Sequence, residues 1–353
     1  MTTPRIIPIF LPHLGCRERC LFCNQKTAVK EVPSPQSVRE FIEASLHHFS
    51  SHAEERKRQV AFYGGSFTAM SQRVQVSYLN EVQPFIAAGK INSIRLSTRP
   101  DALSEETLVM LKEYGVKTVE VGVQSMMDEV LLLSKRGHTA EDSASAILRL
   151  KRRGYEVGVH LMIGLPGDTC SKFLQSLDQI IGLKPDFVRI HPTLVLKGAS
   201  LEALWKSGKY SPLTMDETMY WLKKGILRLE RAFLPVARIG LQSTNELEEH
   251  LLAGPFHPAL HQLVDSAIFF DMAEILLQKH PDGLKPVFFC NPKDLSNLQG
   301  QKNGNILRLK SCFKLSDIFV FSSKEVNRGT LVLHTKAGEV SMDRRLLKIS
   351  ELN

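Results

Sequence analysis

Apolar residues recur along the first two-thirds of this chain in two rhythms. Short runs that alternate every second residue are separated by stretches of helical spacing, the pattern of repeated β-α units around a parallel sheet. It predicts strands over 6–11, 60–63, 93–99, 118–125, 156–163, 187–195 and 235–242. Helix ends fall between them. Ser104 precedes Glu105 and Glu106, a capping hydroxyl followed by acids that suit a helix N-terminus, and Gly115 is placed to stop that helix. Thr139 with Asp142 three residues on predicts a capping box, and Gly154 closes the helix after Lys151, Arg152 and Arg153. Phe173, Leu177, Ile180 and Ile181 follow helical spacing before Gly182 and Pro185.

The strands alternate where fully buried parallel strands read as continuous apolar runs. Val119, Val121 and Val123 share one face, and Glu120, Gly122 and Gln124 the other. Ile94 and Leu96 oppose Arg95, Ser97 and Arg99; Val157, Val159 and Leu161 oppose Gly158, His160 and Met162. Val188 and Ile190 oppose Arg189 and His191, and Ala237, Ile239 and Leu241 oppose Arg238, Gly240 and Gln242. Apolar faces under helices would leave the polar faces in a shared interior, and a polar interior implies a ligand-filled cavity. Half-exposed antiparallel strands are the alternative, disfavoured by the helix-length segments between them. Inward arginines suit a carboxylate or phosphate; the alternative is that they are salt-bridge partners of Glu120 or Asp186.

After Gln242 the rhythm changes. Residues 245–280 read as helical with a break at 254–258, then a strand over 287–290, a helix through Leu307 and Leu309, and strands over 317–321 and 330–334. The reading is a core domain, 1–242, and a C-terminal part, 243–353, that ends in a small β-α-β-β module. Residues 298–306 are faintly similar to a KH-type nucleic-acid loop, but that motif needs GXXG. Gly300 and Gly304 enclose three residues, which favours a capped helix.

The totals describe an ordinary water-soluble composition: 353 residues, 43% hydrophobic and 23% charged. No apolar run is long enough for a membrane span, and residues 1–5 lack a signal-peptide pattern. Six cysteines in so long a chain are no disulfide framework, which predicts a cytoplasmic protein. A net charge of +8 permits an anionic partner without requiring one.

The chemistry concentrates in Cys16, Cys20 and Cys23, spaced CX3CX2C just after the first apolar run. A structural zinc site wants four ligands, commonly as two pairs, and no second pair exists; buried free thiols are the other plain reading. Three thiolates without a nearby fourth suit an iron–sulfur cluster with one iron open to a non-protein ligand.

This loop, with Phe22 before its last cysteine and β-α units after it, resembles the radical S-adenosylmethionine superfamily over most of residues 6–242. The segments 62–68, 97–101, 120–125, 136–138 and 160–167 match further motifs in the expected order. The combination resembles the branch of the Elongator catalytic subunit's radical domain and, more distantly, oxygen-independent coproporphyrinogen III oxidase. The resemblance implies an α/β fold, a partial (β/α)6 TIM-like barrel with a small C-terminal α+β extension. It implies a [4Fe-4S] cluster held by Cys16, Cys20 and Cys23, and S-adenosyl-L-methionine cleaved to a 5'-deoxyadenosyl radical. Phe22 would lie beside the adenine, with Gly64 and Gly65 against the methionyl amine. Ser97, Arg99, Gln124, Arg136 and His160 would complete the cofactor site. Ser97 and His160 depart from the oxidase branch, which has a glutamate and an aspartate there. Implied partners are an electron donor such as flavodoxin or ferredoxin, and RNA as a candidate substrate. The rivals are tetrapyrrole decarboxylation and a non-catalytic RNA-binding iron–sulfur protein. The Elongator subunit's radical domain is followed by an acetyltransferase domain; no glycine-rich acetyl-CoA loop occurs here, so acetyl transfer is not expected.

Overall fold

A computed structural model describes residues 4–16, 20–24, 32–49, 56–281 and 285–347. The chain forms two compact units: residues 1–213 with 242–255, and residues 214–241 with 256–353.

The first unit alternates strand and helix. In order come β1 (Arg5–Leu11), α1 (Pro35–Phe49), β2 (Arg58–Gly64), α2 (Gln72–Asn80), α3 (Gln83–Ala87), β3 (Ser93–Thr98), α4 (Glu105–Glu113), β4 (Val116–Gln124), α5 (Asp128–Leu133), α6 (Ala140–Arg152), β5 (Glu156–Ile163), α7 (Cys170–Leu183) and β6 (Phe187–Pro192). These six strands pair in sequence order, every pair parallel. Short strand β7 (Val195–Leu196) and helix α8 (Ser200–Lys206) complete the run. The alternation gave the parallel β-α units, and the architecture is the partial TIM-like barrel that the resemblance implied.

Local chemistry explains the element ends. Ser104 Oγ accepts from Thr107 N at the start of α4, and both halves of the Thr139–Asp142 capping box are formed. Gly115 and Gly154 take positive φ where those helices stop. In α7, Lys184 supplies the left-handed terminating residue, not Gly182. The strands' apolar faces make the core: Val119, Val121, Val123, Val157, Val159 and Leu161 are fully buried. Each such side chain contributes roughly 1.5–3 kcal/mol against leaving it exposed.

The second unit contains α9 (Met215–Arg231), β8 (Val236–Ile239), α11 (Leu260–Lys279), β10 (Val287–Cys290), α12 (Leu295–Gln299), α13 (Gly304–Cys312), β11 (Phe319–Ser322), β12 (Thr330–Thr335) and β13 (Gly338–Asp343). Between α9 and α11 in the chain, α10 (Asn245–His250) and β9 (Leu251–Ala253) return to the first unit, where β9 pairs with β7. The expected single cut at residue 242 therefore differs from the observed division. The difference has a physical cause: Lys223 of α9 donates to Asp271 of α11 at 2.7 Å, and Arg344 ion-pairs with Glu230 and Asp265, binding residues on both sides of 242. The small sheet has the order β11-β10-β12-β13 and one strand more than the sequence reading gave. In β13 only Val340 and Met342 are apolar, too weak an alternation to announce a strand.

Among the described residues no helix is long and apolar enough to cross a membrane.

Candidate functional site

All the expected site residues lie in the first unit, mostly around the C-terminal ends of the parallel strands, where partial and complete barrels of this type place their chemistry. The loop after β1 carries the cysteines. It is fastened to the turn after β2 by Gly65 N donating to Leu11 O at 2.9 Å and Ser66 N donating to Leu14 O at 2.8 Å. Glycine is required on both sides of this seam. A Cβ on Gly65 would lie 2.1 Å from Leu14 O, and one on Gly15 would lie 2.1 Å from Ser66 O. Gly15 and Gly64 also take positive φ, of 74° and 101°. Gly64 and Gly65 thus have a packing role in addition to any contact with a cofactor.

Further along the loop, Leu21 N donates to Ser134 O, Leu201 N donates to Leu21 O, and Asn24 Nδ2 donates to Lys197 O. Leu21 is buried with Val195, Leu201 and Tyr210, and Phe22 packs against this group. Arg17, Glu18 and Arg19 of the cysteine motif lie outside the described residues.

Arg136 connects the loop to the sheet. Its Nη1 donates to Cys20 Sγ at 3.0 Å, its Nη2 donates to Gly122 O, and its guanidinium sits 6.0 Å from the centre of the Phe22 ring. Cys20 is buried, with 6% of its surface exposed. Burial pushes the Cys16 thiol up and Cys20 adds to the shift, while Arg99 and Arg136 oppose it. Arg99 is held as a two-pronged ion pair with Asp101, both bonds 2.9 Å. At the end of β4, Gln124 takes a φ of 69°, unusual for a residue with a side chain, beside a register shift between Gly122 and Gln124. Its Nε2 lies 3.1 Å from where a Cβ on Gly122 would be, so Gly122 is the residue that admits it.

The chain ends of β2 and β3 are latched by three hydroxyls that the sequence reading did not single out. Ser66 Oγ and Thr98 Oγ1 are 3.1 Å apart, Thr68 bonds Thr98, and Arg99 N donates to Ser66 Oγ at 3.1 Å. Segments 62–68 and 97–101 are brought together by these bonds. Ser97 Oγ, one position away, is buried and has no hydrogen-bond partner among the described residues.

Deeper in the barrel the polar strand faces carry an ion network. Glu120, fully buried, bonds Arg95 Nη1 at 2.8 Å, Tyr63 Oη at 3.2 Å and His160 Nε2, and lies 3.2 Å from Arg189 Nε. Below it Gln59 links Arg95, Ser93 and Thr118. Burial opposes ionisation of Glu120, but the His160 hydrogen bond and the charges of Arg189 and Arg95 outweigh it and hold the carboxyl well below the usual range. Of the two readings of Arg189, the ion pair with Glu120 is the one observed. Arg238 and Gln242 fall on either side of the unit boundary, and Arg238 Nε donates to Gly240 O.

The donor set suits a cluster better than a single ion. Among the described residues, no three His, Cys, Asp or Glu side chains converge on one point that could hold a metal ion. Thiolates of a cubane cluster bind separate irons and need not converge. Two guanidiniums beside the thiols offset cluster charge, and the unpartnered Ser97 hydroxyl leaves a polar group for a bound molecule. Three cysteines thus stand on the loop after β1, at the mouth of a partial (β/α)6 barrel.

Comparison with known proteins gives the family. Residues 10–180 match the family model of the Radical SAM superfamily, and residues 185–269 that of the Radical_SAM C-terminal domain. The chain belongs to the radical SAM superfamily, is an enzyme, and has a [4Fe-4S] cluster and S-adenosyl-L-methionine as cofactors. It is 36% identical over 172 residues to the tRNA uridine(34) acetyltransferase of Methanocaldococcus infernus, covering 47% of this chain and 32% of that protein. It is 26% identical over 167 residues to mouse Elongator complex protein 3, covering 42% of this chain and 30% of that protein. The chain thus spans about a third of the length of these relatives. The solved structure of M. infernus Elp3 lacking residues 1–46 superposes with a TM-score of 0.59 at 24% identity, covering 79% of this chain and 64% of that one. That likeness is one of fold.

Proposed function

We propose that this chain uses its cluster and S-adenosylmethionine to abstract a hydrogen atom from an RNA, with Cys16, Cys20 and Cys23 as the cluster ligands. The observation that carries the ligand assignment is the Arg136 bond to buried Cys20, which fixes one thiol at the barrel mouth beside Gly122 and Gln124. The RNA assignment is supported by the likeness to tRNA uridine(34) acetyltransferases.

When bound, the cluster supplies the electron that cleaves S-adenosylmethionine to a 5'-deoxyadenosyl radical. The chain's own residues position and enclose that chemistry. Arg136 orients Cys20 and donates hydrogen-bond density to its sulfur, a lever on the cluster's potential. Phe22, packed on Leu21 and Tyr210, keeps the adenine side of the loop dry. Gly64, Gly65, Ser97, Arg99 and Gln124 stand at or just after the C-terminal ends of β2, β3 and β4 and supply the nucleoside and methionyl contacts in this reading. His160, on β5 and held by Glu120, completes the set. An electron donor of the flavodoxin or ferredoxin type completes the reaction.

The test uses anaerobically reconstituted enzyme, reductant and S-adenosylmethionine, with total tRNA added before or after ribonuclease treatment. Intact tRNA is expected to raise 5'-deoxyadenosine formation above the uncoupled level, and the digest is not. Equal formation in both would refute the RNA assignment while leaving the radical chemistry in place.

A further inference from the structure

The second unit carries a surface the radical chemistry does not use. Successive residues of its small sheet alternate between a buried and an exposed face. Phe288, Cys290, Leu331 and Leu333 point inward and are almost fully buried. The opposite face holds two rows of cross-strand neighbours. One row is Phe319, Val287 and His334, with Glu339 at its edge, paired to His334; the other is Phe321, Phe289 and Val332, with Ser341 at its edge. Phe289 and Phe321 are stacked with ring centres 5.5 Å apart, and His334 lies against the other side of Phe289 at 4.6 Å. Yet Phe319 and Phe321 are 41% and 52% exposed, an unusual cost for two large rings on neighbouring positions of one edge strand.

Charge singles out the same region. Residues 285–353 hold 12 Lys and Arg against 6 Asp and Glu, a net +6 of the chain's +8. The 284 residues before them are nearly balanced. The register places Lys285, just before β10, and Lys336, in the β12–β13 turn, at one end of the sheet, because Val287 pairs with His334. Lys310, ion-paired to Asp317, stands at the same end, where β11 begins.

We infer that this aromatic face is a stacking platform for single-stranded nucleic acid, with the lysines at its end taking the phosphates. Exposed rings on a sheet accept the faces of unpaired bases, and a concentrated positive charge follows the backbone. The loop over 298–306, which has a weak likeness to a nucleic-acid clamp, is tied inward and leaves the sheet as the binding element: Asn305 Nδ2 donates to Ser266 and to Asn297. The inference deepens the RNA reading but does not depend on catalysis.

The experiment measures fluorescence anisotropy of the full-length reconstituted protein with a labelled oligouridylate and with an RNA duplex, over a salt series. Phe289→Leu with Phe321→Leu keeps the apolar volume and removes the rings. It is expected to weaken single-strand binding by about five- to a hundred-fold for each base that loses its stack, with the salt slope retained. Lys285→Glu with Lys336→Glu should lower the salt slope for the single strand. Circular dichroism and RNA-independent 5'-deoxyadenosine formation should stay at wild-type levels, which separates this site from the radical site. Unchanged oligouridylate affinity in the leucine variant overturns the platform. So does wild-type protein that fails to bind single strands or prefers the duplex. A dimer in sedimentation that the leucine variant dissociates would overturn it too, by showing a second copy on the face. Oligouridylate binding without tRNA-stimulated cleavage would keep the platform and refute only the catalytic RNA reading.

Discussion

Glu120 is the sharpest place to perturb the barrel. Glu120→Gln keeps the volume of the side chain and an oxygen for Tyr63, and removes the charge that Arg95 and Arg189 face. Both guanidiniums are largely out of water, with side-chain exposures of 7% and 18%. Stripping one partner from a buried ion pair costs about 3–5 kcal/mol, because the remaining charge is left uncompensated. Arg95 keeps a 3.6 Å contact to the half-exposed Glu156, and Arg189 has some access to solvent, so the lower end, about 3 kcal/mol, applies. With a urea slope of about 3 kcal/mol per molar for a unit of this size, the first unfolding midpoint should fall by about 1 M. The folded carboxyl titrates below its ordinary value of 4.5. Its contribution is therefore present above that pH and lost as pH falls toward the depressed value. Adding Arg189→Met should recover part of the midpoint, since it removes one of the stranded charges. A midpoint shift under about a third of a molar, with the barrel intact by circular dichroism, would refute the view that this network is a charge-balanced core.

Other outcomes follow from the same geometry. Gly65→Ala drives a Cβ into Leu14 O and should lower iron and sulfide content severely after reconstitution, with the second unit's sheet unaffected; normal iron content would contradict the seam between the two loops. Arg136→Met removes the donor to Cys20 Sγ and should make the cluster harder to reduce, seen as a lower midpoint potential by electron paramagnetic resonance titration. His138 is buried against Val123 O, and burial together with the Arg136 charge lowers its pKa from 6.5 to about 4. The unfolded chain takes up this proton first as pH falls, so wild type should lose up to about 3 kcal/mol between those values, measured by urea midpoints; His138→Asn should lose less.

Much of the barrel could be read from period alone, because a side chain every second residue and a helix every third or fourth leave different traces. The caps at Ser104 and Thr139 were legible for the same reason: they are local, and their hydrogen bonds span only three residues. The interior was legible as polar, but the partners within it were not. Glu120, Arg95, Arg189 and His160 each sit on the polar face of a strand, and nothing in the spacing says whether they face a ligand or one another. That choice is made by strand pairings that join residues 25 or more positions apart, such as Arg95 and Tyr63 with Glu120. The hydroxyl latch of Ser66, Thr68 and Thr98 was hidden likewise, since each looks like an ordinary strand-end residue. The division of the chain escaped notice because α9 and α11 meet through Lys223 and Asp271, while the chain between them returns to the first unit.

The most direct test of the account replaces Cys16, Cys20 and Cys23 together with alanine and compares the variant with wild type after anaerobic reconstitution. Wild type should show the broad visible absorbance of a [4Fe-4S] cluster and, with reductant, convert S-adenosylmethionine to 5'-deoxyadenosine and methionine. The variant should show neither, with the fold retained by circular dichroism. A variant that still binds the cluster and still forms 5'-deoxyadenosine would contradict the assignment of these three thiols as the centre of the chemistry.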